Sequence, residues 1–230
     1  VLAAVDGDGL AVHVFRARIE QVDGEVGELA HLAVAVQRDG RVGGRRGRGA
    51  AGLGAAGVEF ELRPAAIDER ALEAELGDAD PATVAKALAE AKALSVEGRG
   101  RPVLGSDSVV SVAGRRFNKP ASRTQAAEHL QFFSGKRMEL HSAAAIAVGG
   151  HLRWSHVARA VLQVRELSDD FIERYLVAER PEVGQCVGVF RIESLGVQLF
   201  ESIEGDMFTV LGMPLLPVLG ALRELEELPA

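Results

Sequence analysis

The chain has 230 residues, 26 Lys and Arg against 33 Asp and Glu, a formal charge of −7 and 47% hydrophobic residues. This suits one α/β domain of ordinary size or two small ones, with ample material for a core, and the acidity excludes a general attraction to nucleic acid or to an anionic membrane. No run approaches the ~20 apolar residues of a membrane-crossing helix. The single cysteine, Cys186, rules out an internal disulfide, and the first residues do not read as a secretory leader. The expectation is a cytoplasmic globular protein.

The chain starts at Val1, and its first elements are weakly punctuated. Short alternating runs such as Val12-His13-Val14-Phe15 suggest strands divided by glycines. Residues 38–57, RDGRVGGRRGRGAAGLGAAG, hold little but Arg, Gly and Ala, a composition expected to leave a core unfilled and to lose much backbone entropy on ordering. We read 1–57 as an atypical segment, frame-shifted or disordered, and 58–230 as the folded domain. The glycines of 38–57 are not followed by the Lys-Ser/Thr pair of a P-loop.

From Val58 onward the text alternates clearly between strand and helix. VEFELR reads as a strand. Pro81, preceded by Asp80 as N-cap, opens a helix running to about Glu97. RPVLGSDSVVSV reads as a buried strand, turned back at Ala113-Gly114 through Arg116-Phe117. Ser122 with Gln125 forms a capping-box pattern for a helix that stops at Gly135. Met138–Val148 and Leu152–Val164 make a hairpin around Gly149-Gly150. Ser168 caps a short helix ending near Ala178. Strands are expected around Gln185–Phe190 and Gln198–Ile203, then a last helix from about Pro214 to Glu227. The sum is an α/β protein with a mixed twisted β-sheet flanked by helices.

Several residues could carry chemistry. Asp107 lies between two serines inside an apolar strand, where a carboxylate is costly to bury unless paired, hydrogen-bonded or metal-bound. Lys92 borders the apolar stripe of Val84, Leu88 and Ala91. Taken alone, a lysine there snorkels to water; the alternative is a cation directed into a pocket beside the sheet. Lys119 sits in a turn made rigid by Pro120. Asp68-Glu69 supplies paired carboxylates, which also suit a helix start. His151 and His156 flank Trp154 as surface residues, and Cys186 reads as core.

Their order is more specific than any one of them. The chain gives Asp68-Glu69, Ala89-Glu90-Ala91-Lys92-Ala93, GSDSVV, Lys119-Pro120, Phe133-Ser134-Gly135-Lys136, His141-Ser142-Ala143, Val164-Arg165-Glu166-Leu167-Ser168, Tyr175 and EGDMFTVLGMPLL. This series resembles the Maf-like nucleotide pyrophosphatase family over residues 58–228, and implies its inosine-triphosphatase-like fold. The resemblance implies hydrolysis of nucleoside triphosphates between the α and β phosphates in the cytoplasm, and pairing into a homodimer. The same scaffold also admits a weakly catalytic, nucleotide-binding regulator of cell division.

By that resemblance Asp107 is the catalytic proton acceptor, Glu69 and Asp107 are metal ligands, and Lys92 and Lys119 face the phosphates. Ser108 and Glu193 match positions tied to base selection. The implied cofactor is a divalent cation, Mg²⁺ or Mn²⁺, which suits oxygen donors. Glu193, in Cys-Val-Gly-Val-Phe-Arg-Ile-Glu, points toward 7-methyl-GTP, whereas Ser108 points toward dTTP and UTP. A strand carboxylate paired with Arg191 or another cation is the plain alternative for Glu193. The family's S-x-S-x-x-R-R segment is missing: Gly49, Ala50 and Ala51 stand where its arginines belong. A reading-frame break upstream of Leu53 is the favoured explanation; divergence with loss of the arginines is the other.

Overall fold

The computed structural model describes residues 32–36, 48–179 and 182–229. The expected strand at Val12–Phe15 lies outside the described residues. The elements in chain order are β1 (Leu32–Val36), α1 (Arg48–Ala55), β2 (Phe60–Pro64), α2 (Glu69–Leu76), α3 (Pro81–Leu94), β3 (Val103–Val112) and β4 (Arg115–Phe117). There follow α4 (Arg123–Phe133), β5 (Arg137–Val148), β6 (His151–Val164), α5 (Asp169–Glu179), β7 (Phe200–Glu204), α6 (Met207–Val210) and α7 (Leu215–Glu224). Short 3₁₀ turns occupy Glu182–Gln185 and Leu195–Leu199.

The strands form one sheet in the order β2-β1-β3-β5-β6-β7, with β4 added to β3. Every pairing among them is antiparallel, so the sheet expected to be mixed runs in antiparallel steps throughout the described strands. Helices cover both faces, as expected of an α/β protein. Strand alternation sends odd-numbered β3 residues toward α2 and α3, where Val109, Ala143 and Ala145 meet Val84, Leu88 and Ala89. Even-numbered residues face the other layer: Val110 and Val112 pack with α4 and α5, while Leu104, Ala144 and Ile146 pack with Leu53 and α7.

Local signals explain most of the boundaries. The Asp80 carboxylate accepts from the amides of Ala82 and Thr83 at 3.0 and 3.1 Å, opening α3, which ends at Leu94 instead of Glu97. Ser122 Oγ accepts from Gln125 N–H at 3.1 Å, and the Gln125 side-chain oxygen accepts from Ala121 N–H at 2.6 Å. Gly149 and Gly150, with φ of 60° and 78°, make the tight turn between β5 and β6. The strand expected around Gln185–Phe190 does not form: Gly188 and Val189 take φ of 83° and 57°, which breaks an extended chain.

Residues 48–57, expected to contribute nothing to a core, include α1, whose Leu53 is 0% exposed. Leu53 packs with Val58, Phe60, Met213 and Leu215. Upstream, the LAVAV strand β1 fills the slot between β2 and β3, pairing Leu32–Val36 with Phe60–Pro64 and Ala33–Ala35 with Val103–Gly105.

Candidate active site

The centre is assembled from α2, α3 and β3. The Asp68 carboxylate accepts from Ala71 N–H at 3.0 Å and starts α2, so the next residue, Glu69, projects from its first turn. Lys92 lies in the last turn of α3, on the face that buries Val84, Ala85, Leu88 and Ala89. That face presses closely on β3 because Gly105 has no side chain: a Cβ there would lie 2.2 Å from Ala89 O and 2.5 Å from Ala93 N. Asp107, two residues along β3, points to the same side.

The result is one ammonium shared by two carboxylates. Lys92 is 0% exposed; its Nζ donates to Asp107 Oδ1 and lies 2.8 Å from Glu69 Oε1. The snorkelling expected of an isolated stripe-edge lysine is overturned here, because two acids make burial of the cation tolerable. Burial pushes the Asp107 carboxyl up to about 6; Lys92 opposes the shift, and Glu69 and Glu73 add to it. For Lys92 burial works against the ammonium, yet Asp107 and Glu69 outweigh it and the pKa rises. Lys119, half-buried, is pushed down by burial and lies within the electrostatic reach of Glu69, Lys92, Cys186 and Asp107.

The sheet leaves this place open on one edge. β1 covers Val103–Gly105 and β4 covers Val110–Val112, so among the described strands residues 106–109 of β3 are paired by β5 alone. This gap in the pairing is a notch between β1 and β4, where the Asp107 side chain keeps 14% of its surface exposed.

Ser108 and Glu193 are not part of the trio. Ser106 and Ser108 turn to the opposite face, where both hydroxyls donate to Gly212 O at 3.2 and 3.0 Å. Ser142 Oγ donates to Thr209 O at 2.8 Å and also lies 2.8 Å from Ser108 Oγ. With Ser108 donating to Gly212 O and Ser142 to Thr209 O, neither hydroxyl keeps a proton for the contact between them. Glu193 lies 3.5 Å from Arg191 Nε, the ion pair that its plain alternative foresaw, in a turn and not in a strand. His141 is buried against Glu139 at 3.3 Å.

The sequence named three residues that the structure brings into contact, Glu69, Lys92 and Asp107, with Lys119 within their electrostatic reach, and did not single out Glu73, whose charge acts on Asp107. The signal for Glu73 was its place four residues after Glu69 on one helix face.

Among the described residues no three His, Cys, Asp or Glu side chains converge as a complete metal cage. Glu69 and Asp107 nevertheless fit a magnesium-type ion. Such an ion uses one or two carboxylates and takes its remaining oxygens from water and substrate phosphate. Among the described residues no helix is long and apolar enough to cross a membrane.

The chain is 47% identical over 182 residues to the 7-methyl-GTP pyrophosphatase of Rhizobium meliloti (strain 1021), covering 77% of this chain and 92% of that protein. It is 46% identical over 173 residues to the nucleoside triphosphate pyrophosphatase of Nitrobacter hamburgensis, covering 74% and 86%. The 7-methyl-GTP pyrophosphatase of Rhizobium etli is 48% identical over 174 residues, covering 74% and 87%. The Maf-like protein family matches residues 48–225, taking in α1 as well as the trio. With a match over most of its length and its charged centre built from the matched residues, the chain belongs to the Maf-like protein family.

Proposed function

We propose that this protein hydrolyses nucleoside triphosphates to a monophosphate and pyrophosphate, with Asp107 as general base. The observation that carries the reading is the Glu69–Lys92–Asp107 trio, whose lysine is buried while its carboxylates stay partly exposed, with Lys119 within their electrostatic reach. A carboxyl poised near 6 is ionised at neutral pH yet basic enough to accept a proton. Water attacks at phosphorus, its proton passes to Asp107, and the bond to the departing pyrophosphate breaks. Lys92 keeps Asp107 and Glu69 in register, and Lys119 offsets charge on the phosphates. Glu69 and Asp107 would hold Mg²⁺ or Mn²⁺, which supplies charge neutralisation and a more acidic water. Glu193 would accept from guanine N1–H and N2–H₂ and favour a cationic methylated base; Ser108 on the other face supplies a polar contact. The same proposal includes a homodimer working in the cytoplasm.

The test is pyrophosphate release with Mg²⁺ or Mn²⁺ over a panel including 7-methyl-GTP, UTP and dTTP. Asp107→Asn is expected to lower kcat about 10²- to 10⁴-fold, the range of a lost general base. A second version carries the family's S-x-S-x-x-R-R segment in place of the text before Leu53. Activity only in that version would show that the arginines are required. Nucleotide binding without pyrophosphate release in either version would replace this reading with that of a binding regulator.

A further inference from the structure

One buried acid has no role in the centre described above. Glu179, the last residue of α5, is 4% exposed. Its Oε1 accepts from Ser194 Oγ at 2.6 Å and from Leu195 N–H at 3.2 Å. Both donors lie on the turn that directly follows Glu193. Its Oε2 is buried without a hydrogen-bond partner, a cost that a merely space-filling residue would not incur.

One helical turn earlier on the same face, Tyr175 O–H donates to Val189 O at 3.0 Å. α5 therefore pins the loop before and after Glu193. Between the pins the chain folds back tightly. Ser194 N–H reaches Arg191 O at 3.1 Å, and a Cβ on Gly196 would lie 2.4 Å from that same oxygen. With so little slack, the position of the Glu193 carboxylate follows the position of Ser194 and Leu195.

We propose that Glu179 is a positioning residue for base recognition: its carboxylate fixes the turn after Glu193 and so sets where Glu193 meets the nucleotide base. This rests on the reading of Glu193 as a base contact.

The experiment compares the ratio of kcat/KM for 7-methyl-GTP and UTP, or of Kd if turnover is absent. It is measured in the full chain, Glu179→Ala, Glu179→Gln, Glu193→Gln and the Glu179→Ala/Glu193→Gln double variant. Glu179→Ala is expected to change the ratio about tenfold, the scale of a lost hydrogen bond to a charged group, chiefly through KM. Glu179→Gln, which keeps an acceptor oxygen, should restore most of it. In the double variant Glu179→Ala should add nothing to Glu193→Gln. If Glu193→Gln moves the ratio while Glu179→Ala changes only thermal stability, the positioning role is overturned and the base reading stands. If Glu193→Gln leaves the ratio unchanged, the base reading falls and this inference falls with it. Should Glu179→Ala fail to fold, Ser194→Ala, which removes one donor of the pair, decides in its place. A shift in the same direction supports the role; an unchanged ratio overturns it.

Discussion

At Asp107 the energetics of burial and the needs of catalysis meet in one side chain. Its folded-state pKa of about 6 lies above the 3.8 of an unperturbed carboxyl, so ionising it opposes folding. Its stabilising contribution is fully present below about pH 4 and is lost as pH rises through about 6. Lys92 carries the same sign in a different window: its pKa is also raised, so its contribution is fully present through neutral pH and is lost only as pH rises beyond the ordinary lysine range. For the reaction the ionised base is required, so kcat/KM should rise with pH along a limb centred near 6. A pH series from 4.5 to 8 checks this, and the residual rate of Asp107→Asn should lack that limb. Increasing Mg²⁺ should move the limb to lower pH, because a cation favours the carboxylate form. The residues of this trio could be named from their order in the chain, but Lys92 could not be recognised as buried from its own helix. Its acidic partners come from other elements, and a stripe-edge lysine looks the same with or without them.

Among the elements, the contact between α3 and β3 matters most, because it seats Lys92 over Asp107. The space at Gly105 is bounded by backbone atoms, which cannot rotate away as a flexible side chain would. Gly105→Ala should therefore push the helix and strand apart. A stability loss of about 1–3 kcal/mol is expected from overpacking, read by thermal or denaturant unfolding. A displacement of ~1 Å at the trio would also lower kcat/KM by about 10²-fold. Wild-type stability and activity in this variant would show that the close approach does not seat the lysine. Helix starts were legible because Asp80 and Ser122 announce themselves as caps. The region after Ala178 was not, since apolar alternation in Gln185–Phe190 is overridden by left-handed backbone at Gly188 and Val189 and by the Tyr175 contact. What turns that segment into a loop is tertiary structure, and periodicity carries no trace of it.

For the molecule as a whole, the question raised by composition is where the folding unit starts. Low-complexity text before Val58 gave no reason to expect a core residue there, yet Leu53 is fully enclosed beside α7. Leu53→Ala should cost about 2–5 kcal/mol, as for other buried leucines; a loss below about 0.5 kcal/mol would show that α1 is peripheral. The alternating sheet, its hairpin and the flanking helices were readable from period and turn residues. The all-antiparallel strand order was not, because the place of β1 between β2 and β3 depends on pairing partners distant in sequence.

That strand order also has a consequence in time. Glu69, Lys92 and Asp107 come from three successive elements, α2, α3 and β3, so their contacts close short loops and carry little entropic cost. β1 must also pair with β3, Ala33 with Gly105 and Ala35 with Val103, a much longer separation and the slower kind of pairing. The charged centre is thus expected to assemble early, with the strand that borders its notch arriving last, so that the chemical core of the protein is older, within each folding event, than the sheet that frames it.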